Sequence, residues 1–138
     1  AAAETVLPLA GLHLLLAEDN ELNSEIATAL LEEQGASITA VENGRLALEA
    51  IQNAAPRTYD VILMDVMMPE MNGLEATRCI RAFEGKGPGE GTPIIAMTAN
   101  VFADDVKACL DAGMNSHVGK PLDMKVLIGE ILKYTDAR

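Results

Sequence analysis

The sequence predicts a doubly wound α/β domain, in which helices cover both faces of a five-stranded parallel sheet. Three observations carry that expectation. Strand-like and helix-like patterns alternate five times along the chain, as repeated βα units require. The run Val61-Ile62-Leu63-Met64 is continuously apolar over strand length, as a strand buried on both faces must be. Finally, several apolar runs end in residues able to do chemistry, at the carboxyl ends of strands where open α/β sheets carry their sites.

The elements follow in order. Residues 12–17 read as the first strand, and 21–34 as a helix with Asn20 as its cap and Gly35 as its stop. Leu22, Ile26 and Leu30 recur at i, i+4, i+8 and are expected on that helix's inner face. Residues 37–41 form a short second strand. Asn43-Gly44 then turns into a helix that should bury Leu48 and Ile51. The central strand is 61–65, and Gly73 opens a third helix that runs to about Phe83. The segment 84–92 (Glu-Gly-Lys-Gly-Pro-Gly-Glu-Gly-Thr) reads as a Gly-rich surface loop and the most mobile part of the chain. Residues 94–97 form the fourth strand, 103–112 a helix ended by Gly113, and 116–119 the fifth strand. The last helix, 123–134, sets Met124, Leu127, Ile128 and Ile131 on one face. Residues 1–10 show no element pattern and read as a linker end or cloning remnant, which leaves 11–138 as one domain.

Composition narrows the function. At 138 residues, with 49% apolar and 3% aromatic side chains, the chain can build an aliphatic core without disulfides or structural metals. A net charge of -11 excludes a basic nucleic-acid surface and favours cationic partners. Cys79 and Cys109 lack CxxC spacing and read as reduced thiols on helices. No apolar run is long enough to span a bilayer, and no signal peptide is evident, so the expected location is cytoplasmic.

Glu18-Asp19 follow the first strand, Asp65 ends the third, Thr98 ends the fourth and Lys120 follows the fifth. Three clustered carboxylates repel unless a cation sits among them, and such oxygen ligands suit Mg²⁺. With a hydroxyl and an ammonium nearby, Asp65 could attack phosphorus and form an aspartyl phosphate. Taken singly, Glu18-Asp19-Asn20 is better read as a helix cap, Asp65 equally well as a turn residue, and Lys120 as a solvated charge. Capping does not explain a Thr and a Lys at two further strand ends on the same edge, so the constellation favours a site.

Glu18-Asp19-Asn20, Met64-Asp65-Val66-Met67-Met68-Pro69, Met71-Asn72-Gly73, Met97-Thr98-Ala99 and Lys120-Pro121 together closely resemble the response-regulator receiver domain, over about residues 12–134. The details look most like receivers attached to hybrid histidine kinases. The resemblance implies a flavodoxin-like fold with strand order 2-1-3-4-5, the order that flavodoxin and chemotaxis receivers share. It implies that Asp65 accepts a phosphoryl group from a phosphohistidine on a histidine kinase or a His-containing phosphotransfer domain. Asp19, Asp65 and the Met67 backbone carbonyl would bind Mg²⁺ (or Mn²⁺), and Glu18 would act through a metal-bound water. Thr98 would bond a phosphoryl oxygen, and a cis bond before Pro121 would keep Lys120 aimed at the site.

Two departures matter. His117 stands where the family often has a Tyr or Phe switch, so an aromatic switch of the usual kind is not implied. Met67 and Asn100 stand where family side chains influence aspartyl-phosphate hydrolysis, and an apolar Met67 cannot orient water, which implies a longer-lived adduct. The expected output surface is formed by the fourth helix, fifth strand and fifth helix, with Val101, Phe102 and Val106 as contact candidates. Phosphorylation-dependent dimerisation is left open, and no direct nucleic-acid or membrane contact is expected. The alternatives are a stand-alone single-domain response regulator and an aspartyl-nucleophile phosphatase. The second needs an Asp two residues after the nucleophile, where this chain has Met67. A flavin-binding flavodoxin fits poorly with the acidic first loop. Absence of an initiator Met from Ala1–Leu9 favours a domain excised from a kinase.

Overall fold

A computed structural model describes residues 7–99 and 103–135. The elements are β1 His13–Ala17, α1 Glu21–Glu33, β2 Ser37–Val41, α2 Gly44–Asn53, β3 Val61–Asp65, α3 Gly73–Glu84, β4 Ile94–Thr98, α4 Ala103–Ala112, β5 Ser116–Gly119 and α5 Met124–Thr135. All strand pairs are parallel, in the order β2-β1-β3-β4-β5, as expected.

Alternation along the central strands divides the core in two. Leu14, Leu16, Leu63, Ile95 and Met97 face one way and pack with Ala27 and Leu31 of α1 and Leu127 and Ile131 of α5. Leu15, Ile62, Met64, Ile94 and Ala96 face the other way, against Ala47 of α2, Ala76 and Ile80 of α3, and Cys109 of α4. The register aligns the carboxyl ends of three strands, with Ala17 beside Met64 and Asp65 beside Met97. That alignment makes a common edge from residues far apart in sequence.

Three expectations change. The α1 stripe Leu22, Ile26, Leu30 does not face the sheet: these residues are 63%, 50% and 36% exposed. Ser24, Ala27, Thr28 and Leu31 face inward instead, with Ala27 and Leu31 buried. This stripe at i, i+3, i+4, i+7 contains two hydroxyl residues, so apolar periodicity points one helical step away from it. At the N-terminus, Leu9 is wholly buried and its N–H donates to Gln34 O at 2.9 Å, so packing begins within the stretch expected as a linker. The Gly-rich loop is tied down: Asn115 Nδ2 donates to Gly89 O at 2.9 Å, and Thr92 N and Oγ1 donate to Glu84 Oε2 at 3.1 and 2.6 Å.

The α5 face is as expected, whereas α2 buries Gly44 and Ala47 rather than Leu48 and Ile51. Leu48 and Ile51 of α2 are half-buried against the second core face, and Met124 and Ile128 flank the buried Leu127 and Ile131 of α5. Asn20 caps α1 by accepting from Asn23 N at 2.9 Å. Among the described residues, no helix is long and apolar enough to cross a membrane.

Candidate functional site

The carboxyl ends of β1, β3, β4 and β5 border one shallow cleft of about 280 Å³. Glu18 and Asp19 arrive from β1, Asp65 from β3, Thr98 from β4 and Lys120 from just beyond β5. Glu18, Asp65 and Thr98 are buried, while Asp19 faces solvent. Carboxylate oxygens of Glu18, Asp19 and Asp65 lie within 4.8 Å of one another. Three acids so close form an all-oxygen donor set suited to a hard divalent cation.

Lys120 Nζ donates to Asp65 Oδ2 at 2.9 Å and to Glu18 Oε1 at 3.0 Å. Burial alone would push the Lys120 pKa down, but the hydrogen bonds and charges of Asp65 and Glu18 outweigh it and hold the pKa above the ordinary value. The ammonium therefore keeps its proton throughout the neutral range. The Lys120–Pro121 peptide is cis, as expected. Lys120 N donates to Thr98 O at 2.9 Å, which joins the fifth strand end to the fourth. One ammonium against three carboxylates leaves an excess of negative charge.

Backbone contacts set the other side of the cleft. Met67 N donates to Asp65 Oδ1 at 3.2 Å, and Asn20 N donates to Glu18 Oε2 at 3.0 Å. Gly73 starts α3 directly on the backbone of Asp65, where any Cβ would collide with Asp65 O, and its N–H donates to Val66 O at 3.0 Å. The Met67 side chain is 77% exposed at the mouth.

Thus Glu18, Asp19, Asp65, Met67, Thr98 and Lys120 all converge. His117 does not: it is half-buried on β5, in register with Ala96. Val106 is half-buried on α4. Asn100, Val101 and Phe102 lie outside the described residues. A larger groove of about 820 Å³ lies at the amino-terminal end of the sheet, lined by Tyr59, Phe83 and Tyr134 with Arg57 and Lys86. Its acid, Glu84, is bound to Arg81 and Thr92, so volume does not mark the reactive end.

The family model of the response regulator receiver domain matches residues 14–132. The chain belongs to that family. The receiver is 41% identical to Probable histidine kinase 1 of Oryza sativa subsp. indica over 81% of its length, and 38% identical to Sensor protein GacS of Pseudomonas syringae pv. syringae over 88%. It spans only 14% and 13% of those two proteins. Among solved structures, the receiver domain of sensor histidine kinase PA1611 from Pseudomonas aeruginosa is 37% identical, with a TM-score of 0.79 over 92% of this chain and 99% of that one. That structure holds a magnesium ion in its active-site cleft. The receiver domain of Saccharomyces cerevisiae Ssk1, solved with the histidine phosphotransfer signaling protein Ypd1, is 26% identical with a TM-score of 0.81, over 93% of this chain and 91% of that one.

One contact set was not legible beforehand. Asn43, read as a turn residue, is buried and donates to Glu70 in the loop after β3. The Asn-Gly pair signals the turn, but no local pattern reveals what the Asn side chain reaches.

Proposed function

We propose that this receiver accepts a phosphoryl group on Asp65 from a phosphohistidine, as the receiver of a hybrid sensor histidine kinase on the cytoplasmic side. The observation that supports it is Lys120 Nζ, bridging Asp65 and Glu18 inside an acidic cleft at the carboxyl edge of the sheet. Asp19, Asp65 and the Met67 carbonyl would hold Mg²⁺, with Glu18 acting through a bound water. When bound, the cation neutralises the acids and the incoming phosphoryl oxygens.

The chain's own residues do the rest. An Asp65 carboxylate oxygen attacks phosphorus, the new P–O bond forms as the P–N bond to histidine breaks, and the imidazole nitrogen keeps the electron pair. Lys120 exchanges its carboxylate partner for a phosphoryl oxygen, and the Thr98 hydroxyl donates to another. Backbone N–H groups after Asp65 add further donors.

The donor's approach is suggested by α1. Asn20 and Asn23 line the cleft, and the exposed stripe Leu22, Ile26, Leu30 runs away from it. Together with exposed Met67, this is an apolar border around a charged centre, suited to a helical phosphotransfer partner. The Ypd1–Ssk1 complex supports a partner of that class. Phosphorylation would then be read through Thr98 at the α4, β5 and α5 surface.

The test is intact-protein mass after incubation with acetyl phosphate, with and without Mg²⁺, on wild type and Asp65→Ala. A single Mg²⁺-dependent phosphoryl adduct that vanishes in Asp65→Ala is expected. An adduct that persists in Asp65→Ala, or failure to accept from either acetyl phosphate or a phosphohistidine protein, overturns the reading.

A further inference from the structure

The loop that follows Asp65 is held in place by a turn on another part of the chain. Asn43, 6% exposed, uses both atoms of its amide. Its Oδ1 accepts from Leu46 N at 2.8 Å and caps α2, which fixes Nδ2 toward Glu70 Oε2 at 2.7 Å. Arg45 Nη2 lies 3.5 Å from the same Glu70 oxygen. Gly44 N donates to Met71 O at 2.9 Å, an approach that any Cβ at residue 44 would block by colliding with Met71 O.

Glu70 itself has a φ of 64°, the left-handed region that a residue with a Cβ disfavours. Local preference therefore does not produce this loop shape; contacts from residues 43–45 oppose the strain. Gly73 N to Val66 O at 3.0 Å and Met71 N to Pro69 O at 2.7 Å close the rest of the loop. With residues 70 and 71 held and the base closed, the backbone of Met67 between them has little freedom. Met67 N is the group that donates to Asp65 Oδ1.

We propose that Asn43 is a positioning residue for phosphoryl transfer. Through Glu70 it holds the loop so that the Met67 N–H stays on Asp65 and the Met67 carbonyl would be available to a bound cation. This rests on the Mg²⁺-dependent reading given above. Partners behind metal ligands typically contribute strongly to affinity although they never touch the ion.

Asn43→Asp separates the two jobs of this side chain. The aspartate keeps the oxygen that caps α2 but puts a carboxylate where the donor to Glu70 stood. Calorimetric titration with Mg²⁺ should show binding weakened by about tenfold, and acetyl phosphate should label the folded variant more slowly; the urea midpoint should fall as well, because the new carboxylate is buried against that of Glu70. The added negative charge alone would tighten Mg²⁺ binding, so a weaker affinity must come from the displaced loop. Adding Glu70→Gln supplies an amide that can donate to the introduced carboxylate, and it should restore both affinity and labelling rate. Unchanged or tighter Mg²⁺ binding in Asn43→Asp overturns the proposal, as does an equal loss with and without Glu70→Gln. A wild-type protein that binds no Mg²⁺ overturns the functional reading beneath it as well.

Discussion

The two ends of the sheet each carry a buried polar cluster, and they are built on opposite terms. At the amino-terminal end, Arg81 donates through Nε to Gly113 O at 3.0 Å, through Nη1 to Glu84 Oε1 and Thr92 O, both at 2.9 Å, and through Nη2 to Asn115 Oδ1 at 2.9 Å. Asn115 Oδ1 also accepts from Ile94 N at 2.9 Å, and Tyr134 Oη donates to Asn115 O at 3.0 Å. Burial pulls the Arg81 pKa below the ordinary arginine value, and the hydrogen bond and charge of Glu84, with the charge of Glu90, oppose that. At the carboxyl end, three acids share one ammonium. Hydrogen bonding completed within the chain suits a cluster that holds the fold, while an excess of acids at an open cleft suits one that would take up a cation.

The largest expected effect tests the saturated end. Removing one partner of a buried pair leaves the other uncompensated, so Arg81→Ala should lower the unfolding free energy by about 3–5 kcal/mol in urea titrations. Arg81→Lys keeps the charge but not the planar fork, and should fall between the two. Labelling of the folded fraction by acetyl phosphate should be unchanged. An Arg81→Ala protein as stable as wild type would erase the contrast between the ends.

These ends also differ in how far they could be read from sequence. The site was legible because its residues sit at the ends of apolar runs, and parallel register brings strand ends together whatever the loops do. Arg81 offers no such cue. Its partners at Gly113 and Asn115 are 32 and 34 residues away, and a lone arginine on a helix looks like a solvated charge. The Asn43–Glu70 contact was hidden for a related reason, since it depends on a left-handed Glu70 that no local preference produces. In α1 the error ran the other way. The strong Leu/Ile/Leu pattern predicts a core face, but the stripe of small Ala27 with Ser24, Thr28 and Leu31 is the one that faces the sheet.

A moderate effect should appear at the open end. Asp19 is the exposed member of the acidic trio, and Lys120 bonds the other two. Asp19→Asn should relieve repulsion and raise stability in Mg²⁺-free buffer by about 0.5–1 kcal/mol, within the usual range for relieving a functional site's strain. Saturating Mg²⁺ should reverse the order, because only a form that binds the ion gains stability by mass action. Urea midpoints for both proteins, with chelator and with Mg²⁺, check this. If the order does not cross, the acids at this end are not brought together for a cation.

The smallest effect belongs to a half-exposed polar contact beside the amino-terminal cluster, at the first residue of β5. Glu130 on α5 accepts from Lys133 Nζ at 2.8 Å and from Ser116 Oγ on the β5 edge strand. The hydrogen bond from Lys133 comes first in holding its carboxyl below the usual glutamate value; Ser116 adds to this, burial opposes it, and the charges of Lys133 and His117 contribute less. A depressed folded pKa stabilises the protein above the ordinary glutamate pKa, and that gain is lost as pH falls through the lowered folded value. Lys133 is 59% exposed, so solvent screens the pair and Glu130→Gln should cost less than about 1 kcal/mol at neutral pH. Urea midpoints of wild type and variant should converge at acid pH. Divergence there, or a neutral-pH cost rivalling that of Arg81→Ala, would mean that β5 is anchored through Glu130 and that the amino-terminal cluster is not the main polar support of the sheet.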